Sequence, residues 1–332
     1  MTVAPAPVKE RIRRVPEVLT PDRLRTIVAF VAAIAVFGIG EILHPGFGSA
    51  ESVKAILLTA SFVGFVAAGQ TFVVLVGGID LSVPWVLNAG AILVVTTSLG
   101  QDGRASWAVL LTLAMGLGFG LVNGLAVAFL AVPAVVITLA MGGVAQGLTL
   151  GLSQGLTCSS CASYAPPVIR HAVTGEALGI PGGLFLWLGI ALLMTFVLGY
   201  TTFGRRVYAI GNNAEASFLA GVNVRLVTVV LYMLSGMFAA FAGITLAAYG
   251  GQASLGMGDP YLFQSIAAVV IGGVSILGGR GNYLGSTAGS ITLVALVTLL
   301  LAENMPDWGR DVVYGGVILA ILLLYGREKT AV

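Results

Sequence analysis

The residues that could do chemistry in this sequence are few and lie far apart. His44 and His171 are its two histidines, and Cys158 and Cys161 are its two cysteines. No HExxH or Walker A motif occurs, and the glycine-rich stretch "GGVSILGGRGN" lacks the Lys-Ser/Thr pair of a phosphate-binding loop. We therefore expect no catalytic residue, no metal site and no cofactor in this chain, and we do not expect it to be an enzyme.

The two cysteines stand close together in "TCSSCAS". A CxxC pair can be a redox motif or half of a zinc site, but no second CxxC or histidine pair lies nearby. A local disulfide is possible if the segment faces an oxidising compartment. The alternative is that Cys158 and Cys161 are small loop residues without a special role.

A second group of polar residues lies within long apolar runs. Ionisable residues are nearly absent from these runs, which argues against a carrier driven by protons or sodium, because such carriers need acids inside the membrane. The polar residues that remain are neutral, and they could line a path for a neutral, hydroxyl-rich solute or form hydrogen bonds between helices. The candidates for the path are Gln70, Asn88, Asn123, Gln146 and Gln264.

The composition of the chain is that of a membrane protein. Of its 332 residues, 58% are hydrophobic and 9% are charged, whereas a soluble domain carries about 25% charged residues. The apolar runs are continuous and long enough to cross a bilayer as helices, and they lack the alternation of barrel strands. We expect an all-α integral membrane protein, a polytopic bundle of about ten transmembrane helices, with spans at 27–43, 53–77, 82–100, 106–130, 132–155, 182–201, 225–250, 261–279, 285–302 and 308–326.

The positions of the basic residues predict how this bundle is oriented. Ten spans with a cytoplasmic N-terminus leave most of the 16 Lys and Arg residues inside the cell, as the positive-inside rule requires. Both termini are then cytoplasmic. The predicted parts are an N-terminal tail (1–26), a transmembrane domain (27–326) with an external loop at about 156–181 and a cytoplasmic loop at about 202–225, and a C-terminal tail (327–332).

The cytoplasmic loop contains the polar stretch "GRRVYAIGNNAEASFLAGVNVR". Asn212 and Glu215 have the spacing of a capping box, and Gly221 is a natural helix stop. Between them we expect a surface helix of about eight residues, with Ala214 and Phe218 on one face. Such a helix favours docking to a separate protein, and a helix lying on the lipid surface is the alternative.

Two glycine-containing stretches resemble each other, "VVLVGGIDLS" and "AVVIGGVSILGG". The glycines could simply end two helices, and Asp80 or Ser82 could cap the helix that follows the first stretch. The alternative is that both turns lie at the cytoplasmic face and touch a partner there. The residues of that second predicted contact are Asp80, Ser82, Gly279 and Arg280.

Three stretches together resemble a known family: "AAGQTFVVLVGGIDLSV", "FGRRVYAIGNNAEASFLAGVNV" and "SIAAVVIGGVSILGGRGNYLGS". The sequence is similar to the membrane permease subunits of bacterial ABC importers for monosaccharides, the ribose/xylose/galactoside class. The resemblance implies a multi-pass protein of the bacterial cytoplasmic (inner) membrane with no nucleic-acid partner. It implies that 202–225 holds a coupling helix, whose role would be carried by Asn212, Asn213, Glu215, Ala216, Ala220 and Gly221.

The same resemblance implies several partners. Two permease subunits, as a homodimer or a paralogous heterodimer, would form one pathway. A separate cytoplasmic ATPase would bind ATP and Mg, and a periplasmic or lipid-anchored solute-binding protein would deliver the solute. Branched-chain amino acids or nucleosides remain as alternative cargoes, and a secondary carrier or channel as an alternative class.

The chain departs from the family pattern at four places, one of which is the stretch "TCSSCAS", since it is not a feature of the family. Pro84 stands where the family usually has Gly, and Gln146 stands where an arginine is common. Tyr261 is followed by Leu262 and Phe263 rather than by an acidic pair. We expect these departures to concern the solute rather than the energy coupling.

Overall fold

The computed structural model describes residues 21–130, 132–153 and 164–306, and residues 308, 309, 312, 313, 315, 316 and 319 beyond them. Residues 1–20, Cys158, Cys161 and the C-terminal tail at 327–332 lie outside the described residues, as does most of the predicted span 308–326.

The described chain is a bundle of helices with one small hairpin. The first five helices are α1 (Pro21–Leu43), α2 (Ala50–Leu75), α3 (Val83–Ser98), α4 (Asp102–Phe129) and α5 (Ala134–Ser153). Next come α6 (Pro167–Thr174), the hairpin strands β1 (Glu176–Ala177) and β2 (Ile180–Pro181), and α7 (Gly182–Tyr200). The last five are α8 (Thr202–Asn212), α9 (Ala214–Leu219), α10 (Val224–Gly250), α11 (Tyr261–Ile271) and α12 (Tyr283–Ala302).

Seven of the described helices are long and apolar enough to cross a membrane, namely α1, α2, α4, α5, α7, α10 and α12. The prediction of an all-α polytopic membrane protein is therefore confirmed. Two further apolar helices, α3 and α11, are shorter, although a full crossing needs about 20 residues. The span predicted at 261–279 is wrong in extent, because Gly273 adopts a left-handed φ of 83° and α11 ends at Ile271.

The centre of the bundle is α2. Within its most apolar stretch 89% of the residues are buried, and α10, α12, α11 and α7 pack around it. A helix that is apolar on all sides can be stable only when protein or lipid surrounds it completely. The position of α2 is therefore set by its sequence "AILLTASFVGFVAAGQTFVVL", which offers no polar face to water.

Helices α4 and α10 approach closely along a seam of glycines. A Cβ atom at Gly124 would lie 2.7 Å from the Cα of Val229, and a Cβ at Gly116 or Gly120 would overlap carbonyl oxygens of α10. Gly116, Gly120 and Gly124 recur every fourth residue, so they share one face. The small residues therefore serve the close helix packing that the sequence predicts.

Helices α1 and α12 run side by side in the same direction. At their N-terminal ends the Thr26 hydroxyl and the Asn282 side chain are hydrogen-bonded, at 3.0 Å. At their C-terminal ends the His44 ring is 3.0 Å from a Glu303 carboxylate oxygen. Asn282 follows Gly281, whose carbonyl is bonded to Tyr208 of α8. We call this side of the bundle the α8–α9 end, and the side with His44 and Glu303 the opposite end.

Candidate functional site

The polar segment between α7 and α10 folds into two helices rather than one. Thr201 caps α8, since its hydroxyl accepts a hydrogen bond from the Gly204 N–H at 3.2 Å. Gly204, Val207 and Ile210 are the buried residues of α8, three apart along the chain and therefore on one face. The sequence analysis missed α8, although the spacing of Val207 and Ile210 within a polar stretch indicates an amphipathic helix.

The second helix, α9, is capped by Asn213 and not by Asn212. The Asn213 side-chain oxygen accepts a hydrogen bond from the Ala216 N–H at 2.9 Å, whereas Asn212 is the last residue of α8. The helix has six residues instead of the expected eight. Gly221 ends it in the left-handed region at φ 84°, where glycine is favoured, and the Val222 N–H bonds back to the Ser217 carbonyl.

Helix α9 presents nearly all of its side chains to the outside. Ser217 is buried, but Phe218 is 68% exposed and Leu219 is 80% exposed. Ala214 and Phe218 both line a groove of about 1270 Å³ between α9, α4 and α10, so the prediction that they share one face is confirmed. Exposed Phe and Leu side chains beside a capped helix end form an apolar surface of the kind that marks contact sites.

Helix α8 is attached to the core by its buried side chains and also by contacts to backbone atoms of the loop at 272–282 and of α2. The Tyr208 hydroxyl donates to the Gly281 carbonyl at 2.8 Å, and the Asn212 amide donates to the Gly279 carbonyl at 3.4 Å. The Gly279 N–H in turn donates to the carbonyl of Leu75, at the end of α2, at 2.8 Å. A Cβ atom at Gly211 would overlap that Leu75 oxygen. The end of α2, the loop at 272–282 and α8 therefore meet at one point.

The two similar glycine stretches form the same turn. The Gly78 N–H bonds to the Val73 carbonyl at 3.0 Å, and the Val274 N–H bonds to the Val269 carbonyl at 3.1 Å. Gly77 and Gly273 have φ values of 80° and 83°, which is the left-handed geometry of a helix C-terminus. The likeness in sequence thus reflects one local structure, used once after α2 and once after α11.

Asp80 and Ser82 lie inside the bundle and not at its surface. Each is 1% exposed. The Asp80 carboxylate accepts hydrogen bonds from the Ser82 hydroxyl at 2.6 Å, the Ser82 N–H at 3.0 Å and the Ser235 hydroxyl of α10 at 2.7 Å. The prediction that these two side chains touch a partner therefore needs correction, because their polar atoms are used within the chain. Of the other predicted contacts, Gly279 is buried and Arg280 is exposed.

Beyond Asp80 the chain enters α3, and a cavity of about 350 Å³ opens beside its first turn. Pro84 occupies that first turn, as a proline can. Helix α5 and the start of α11 close the other sides of the cavity, which we call the α3–α5–α11 cavity. Its lining includes residues from three of the places where the sequence departs from the family pattern: Pro84, Gln146 and Leu262.

The predicted path residues lie in different surroundings. Gln146 lines the α3–α5–α11 cavity, and Gln264 lines a separate cavity of about 380 Å³ beside α12. Asn88 is buried, and its side-chain oxygen accepts from the Gly258 N–H at 2.8 Å. Asn123 is buried and donates to the Ser82 hydroxyl at 2.9 Å. Asn88 and Asn123 thus hold inserted loops in place.

Gln70 is a separate case. It is completely buried in α2, and its amide nitrogen and oxygen have no hydrogen-bond partner among the residues that the structure describes. An unpaired buried amide lowers stability by about 1–3 kcal/mol.

Two residues of the α3–α5–α11 cavity were missed by the sequence analysis. Trp85 lies in the first turn of α3 and Asp259 lies just before α11, and both line the cavity. Asp259 is exposed, and its carboxylate accepts a hydrogen bond from Asn88 at 3.4 Å. A signal was present, because an acid next to Pro260 at the start of an apolar run is typical of a helix N-terminus.

Long apolar helices, two interrupted helices and a polar two-helix segment at one end define a polytopic membrane transport subunit. The chain belongs to the family described as "Branched-chain amino acid transport system / permease component", whose model matches residues 52–322. The resemblance to permeases of bacterial monosaccharide-class ABC importers is confirmed by this family and by the relatives below. The chain is a multi-pass protein of the inner membrane.

Its similar proteins include permeases named for one import system. The autoinducer 2 import system permease protein LsrC of Photorhabdus luminescens is 31% identical over 308 residues, covering 93% of this chain and 92% of that protein. LsrC of Enterobacter sp. (strain 638) is 33% identical over 312 residues, covering 92% and 88%. LsrC of Klebsiella pneumoniae subsp. pneumoniae is 33% identical over 309 residues, with the same coverage of each chain. No solved structure matches this chain.

Proposed function

We propose that this chain forms the membrane pathway of an ABC importer for a monosaccharide or a similar neutral polyol, and that a separate cytoplasmic ATPase drives it through α8 and α9. The observation that carries this proposal is the attachment of α8 at Gly211 and Asn212 to the loop at 272–282 and to the end of α2. An ATPase that moves the exposed α9 would move α8 with it. The displacement would then reach the two glycine turns next to the interrupted helices α3 and α11.

The orientation and the partners belong to the same proposal. The α8–α9 end faces the cytoplasm, and the presence there of Arg205, Arg206, Arg225 and Arg280 favours that side under the positive-inside rule. The chain has ten spans, the last at 308–326, and both its tails lie in the cytoplasm. A second permease copy completes the pathway, a solute-binding protein docks at the opposite end near 156–181, and ATP and Mg bind to the ATPase.

The docking residues follow from exposure and capping. Asn213 and Gly221 fix the two ends of α9, and Glu215, Ala216 and Ala220 lie on its exposed surface. Asn212 acts indirectly, because its side-chain amide donates a hydrogen bond to the Gly279 carbonyl and so connects α8 to the loop at 272–282. Arg280 is the exposed member of the second predicted contact.

The cargo has two candidates. The similar permeases named above belong to an autoinducer 2 import system, whereas the family description names branched-chain amino acids. An amino acid carries a carboxylate and an ammonium group, and among the residues that the structure describes the α3–α5–α11 cavity is lined by a carboxylate but by no Lys, Arg or His. This favours a neutral solute.

The function is tested by reconstitution in proteoliposomes with a candidate ATPase and a candidate solute-binding protein from the same organism. We expect solute uptake that requires ATP, and loss of uptake when the Walker A lysine of the ATPase is replaced. Glu215→Ala is expected to lower uptake and uptake-linked ATP hydrolysis while the permease still inserts into the membrane. Uphill uptake by this chain alone would contradict the proposal and favour a secondary carrier.

A further inference from the structure

The α3–α5–α11 cavity combines an aromatic ring, an amide and a carboxylate inside the membrane domain. Its lining includes Trp85, Gln146 and Asp259 together with the apolar side chains of Leu81, Leu139 and Leu262. From these residues we infer that the cavity is a solute-contact site which takes small neutral polyhydroxylated molecules and rejects anions and zwitterions. This inference rests on the proposed transport function and names the place and the selectivity of that function.

The first step in the argument is the depth of the cavity. Gln146 stands just past the middle of the 20-residue helix α5, which spans about 30 Å at ~1.5 Å per residue. Gln146 therefore lies close to the midplane of the bilayer. In secondary transporters substrate sites lie near that plane, typically beside discontinuous helices, and the same need to place polar groups along a cavity applies to an ATP-driven pathway.

The second step is that two interrupted helices begin at this cavity. Helix α3 starts at Val83, next to Leu81 and Trp85, and α11 starts at Tyr261, next to Asp259 and Leu262. Non-helical backbone at membrane depth occurs only where protein buries it or where it lines a water-filled space. Since the Asp259 side chain is exposed, a face toward lipid would be costly, whereas an aqueous path accommodates it.

The third step is the chemistry of the lining. A carboxylate accepts hydrogen bonds from two hydroxyl groups, and an amide both donates and accepts. The ring of Trp85, half-buried in the wall, adds a rigid apolar surface for the C–H face of a sugar. A volume of about 350 Å³ is at the small end of ligand sites, which run from about 300 to 1,000 Å³.

The fourth step concerns charge. Asp259 is the only ionisable residue that lines this cavity within the described chain. A phosphorylated sugar or a carboxylic acid would bring a second negative charge close beside it, and like charges at short range repel each other even where water screens them in part. An amino acid would leave its own carboxylate without a cationic partner. A neutral polyol carries no charge, so it is not repelled by Asp259 and brings no carboxylate that needs a cationic partner.

The experiment uses the full chain in lipid nanodiscs, with Cys158 and Cys161 replaced by serine and Gln146→Cys added. Two methanethiosulfonates of similar size, one cationic (trimethylammonium-ethyl) and one anionic (sulfonato-ethyl), are applied, and their rates of modification are measured. We expect both reagents to react and the cation to react several-fold faster. Asp259→Asn should bring the ratio of rates close to that of a free thiol in solution, and Asp259→Glu should preserve the bias. Leu192→Cys on the outer face of α7, where Leu192 is 63% exposed, is the lipid-facing control and should react slowly.

The solute class is tested by protection of the same thiol. Excess ribitol or D-ribose should slow the modification of Gln146→Cys, and equal concentrations of ribose 5-phosphate or leucine should not. The inference is overturned by an unreactive thiol, by a charge bias that survives Asp259→Asn, by the absence of protection by both neutral probes, or by equal protection by leucine or ribose 5-phosphate. The assay needs neither ATP nor the ATPase, so its failure is distinguishable from a failure of ATPase docking.

Discussion

The α8–α9 end and the α3–α5–α11 cavity are built from different parts of the polypeptide. At the α8–α9 end backbone atoms make the contacts that join α2, α8 and the loop at 272–282: the Leu75 carbonyl, the Gly279 N–H and the close approach of Gly211. In the cavity they are made by side chains such as Trp85 and Gln146. Backbone contacts depend on glycines in fixed places, whereas side-chain contacts change with single substitutions.

This difference explains why the sequence matches its family unevenly. The motifs that resemble ABC permeases supply the turns and caps of the α8–α9 end, and the departures at Pro84, Gln146 and Leu262 line one cavity. Under the proposed function, a chain could change its solute through the cavity without altering the contacts by which an ATPase would act on it. The four predictions below test this division.

The largest effect is expected from Gly211→Ala. The new methyl group would overlap the Leu75 carbonyl and lie against the backbone of Gly279, and overpacking of this kind costs about 1–3 kcal/mol. We expect a lower midpoint of thermal unfolding and the loss of most ATP-dependent uptake. Gly189→Ala on α7 is the matched control, since nothing lies within 4 Å of a Cβ atom there. Equal behaviour of the two variants would show that α8 is not held by this contact.

The second prediction concerns Asp80→Asn. An amide has one acceptor oxygen instead of two, so it cannot accept hydrogen bonds from both Ser82 and Ser235 as Asp80 does, and a buried polar group left without its partner costs about 1–3 kcal/mol. We expect a clear drop in the unfolding midpoint and a smaller drop for Ser235→Ala, which removes one bond. If the Asp80→Asn variant has normal stability but binds the ATPase more weakly, Asp80 contacts the partner after all.

The third variant, Gln70→Leu, is expected to raise stability rather than lower it. Gln70→Leu removes a buried amide without a partner in the described structure and should raise stability by about 1–3 kcal/mol, measured as a higher unfolding midpoint in detergent. If Gln70 is also a path residue, as the sequence analysis proposes, the same variant will import more slowly although it is more stable. If the variant is more stable and its uptake is unchanged, Gln70 neither lines the solute path nor forms a stabilising hydrogen bond between helices.

The sequence predicted most of the membrane helices because an apolar run of about twenty residues has few other stable states in a bilayer. It overestimated the span at 261–279, since Gly273 in the left-handed region ends α11 while the hydropathy of the following residues stays high. Hydropathy reports whether a residue prefers apolar surroundings, and it does not report where the backbone leaves the helix. Interrupted helices such as α3 and α11 therefore look like full spans.

The candidate site was predicted in part for a related reason. Caps and stops depend on neighbours in the sequence, so the short helix α9 and its stop at Gly221 were predicted, with an error of one residue in the cap, which is Asn213. The hydrogen bond between Asp80 and Ser235 joins residues far apart in the chain. Trp85 and Asp259, which line one cavity, are also far apart in the chain. No local pattern encodes such pairs, and for that reason Asp80 was placed at the surface and the cavity was missed.

The smallest effect is expected from Asn213→Ala, which removes the cap of α9. The loss of the hydrogen bond to the Ala216 N–H should weaken α9 by about 1 kcal/mol, which corresponds to roughly a five-fold weaker hold on the ATPase if α9 is the docking helix. Co-purification of the ATPase at several salt concentrations measures this change. Asn223→Ala is the matched control, because Asn223 caps α10 in the same way through the Leu226 N–H at 3.0 Å. If the two variants retain the ATPase equally well, the docking surface lies elsewhere at the α8–α9 end. If only the Asn213 variant loses the ATPase, then α9 is the part of this end that binds the ATPase.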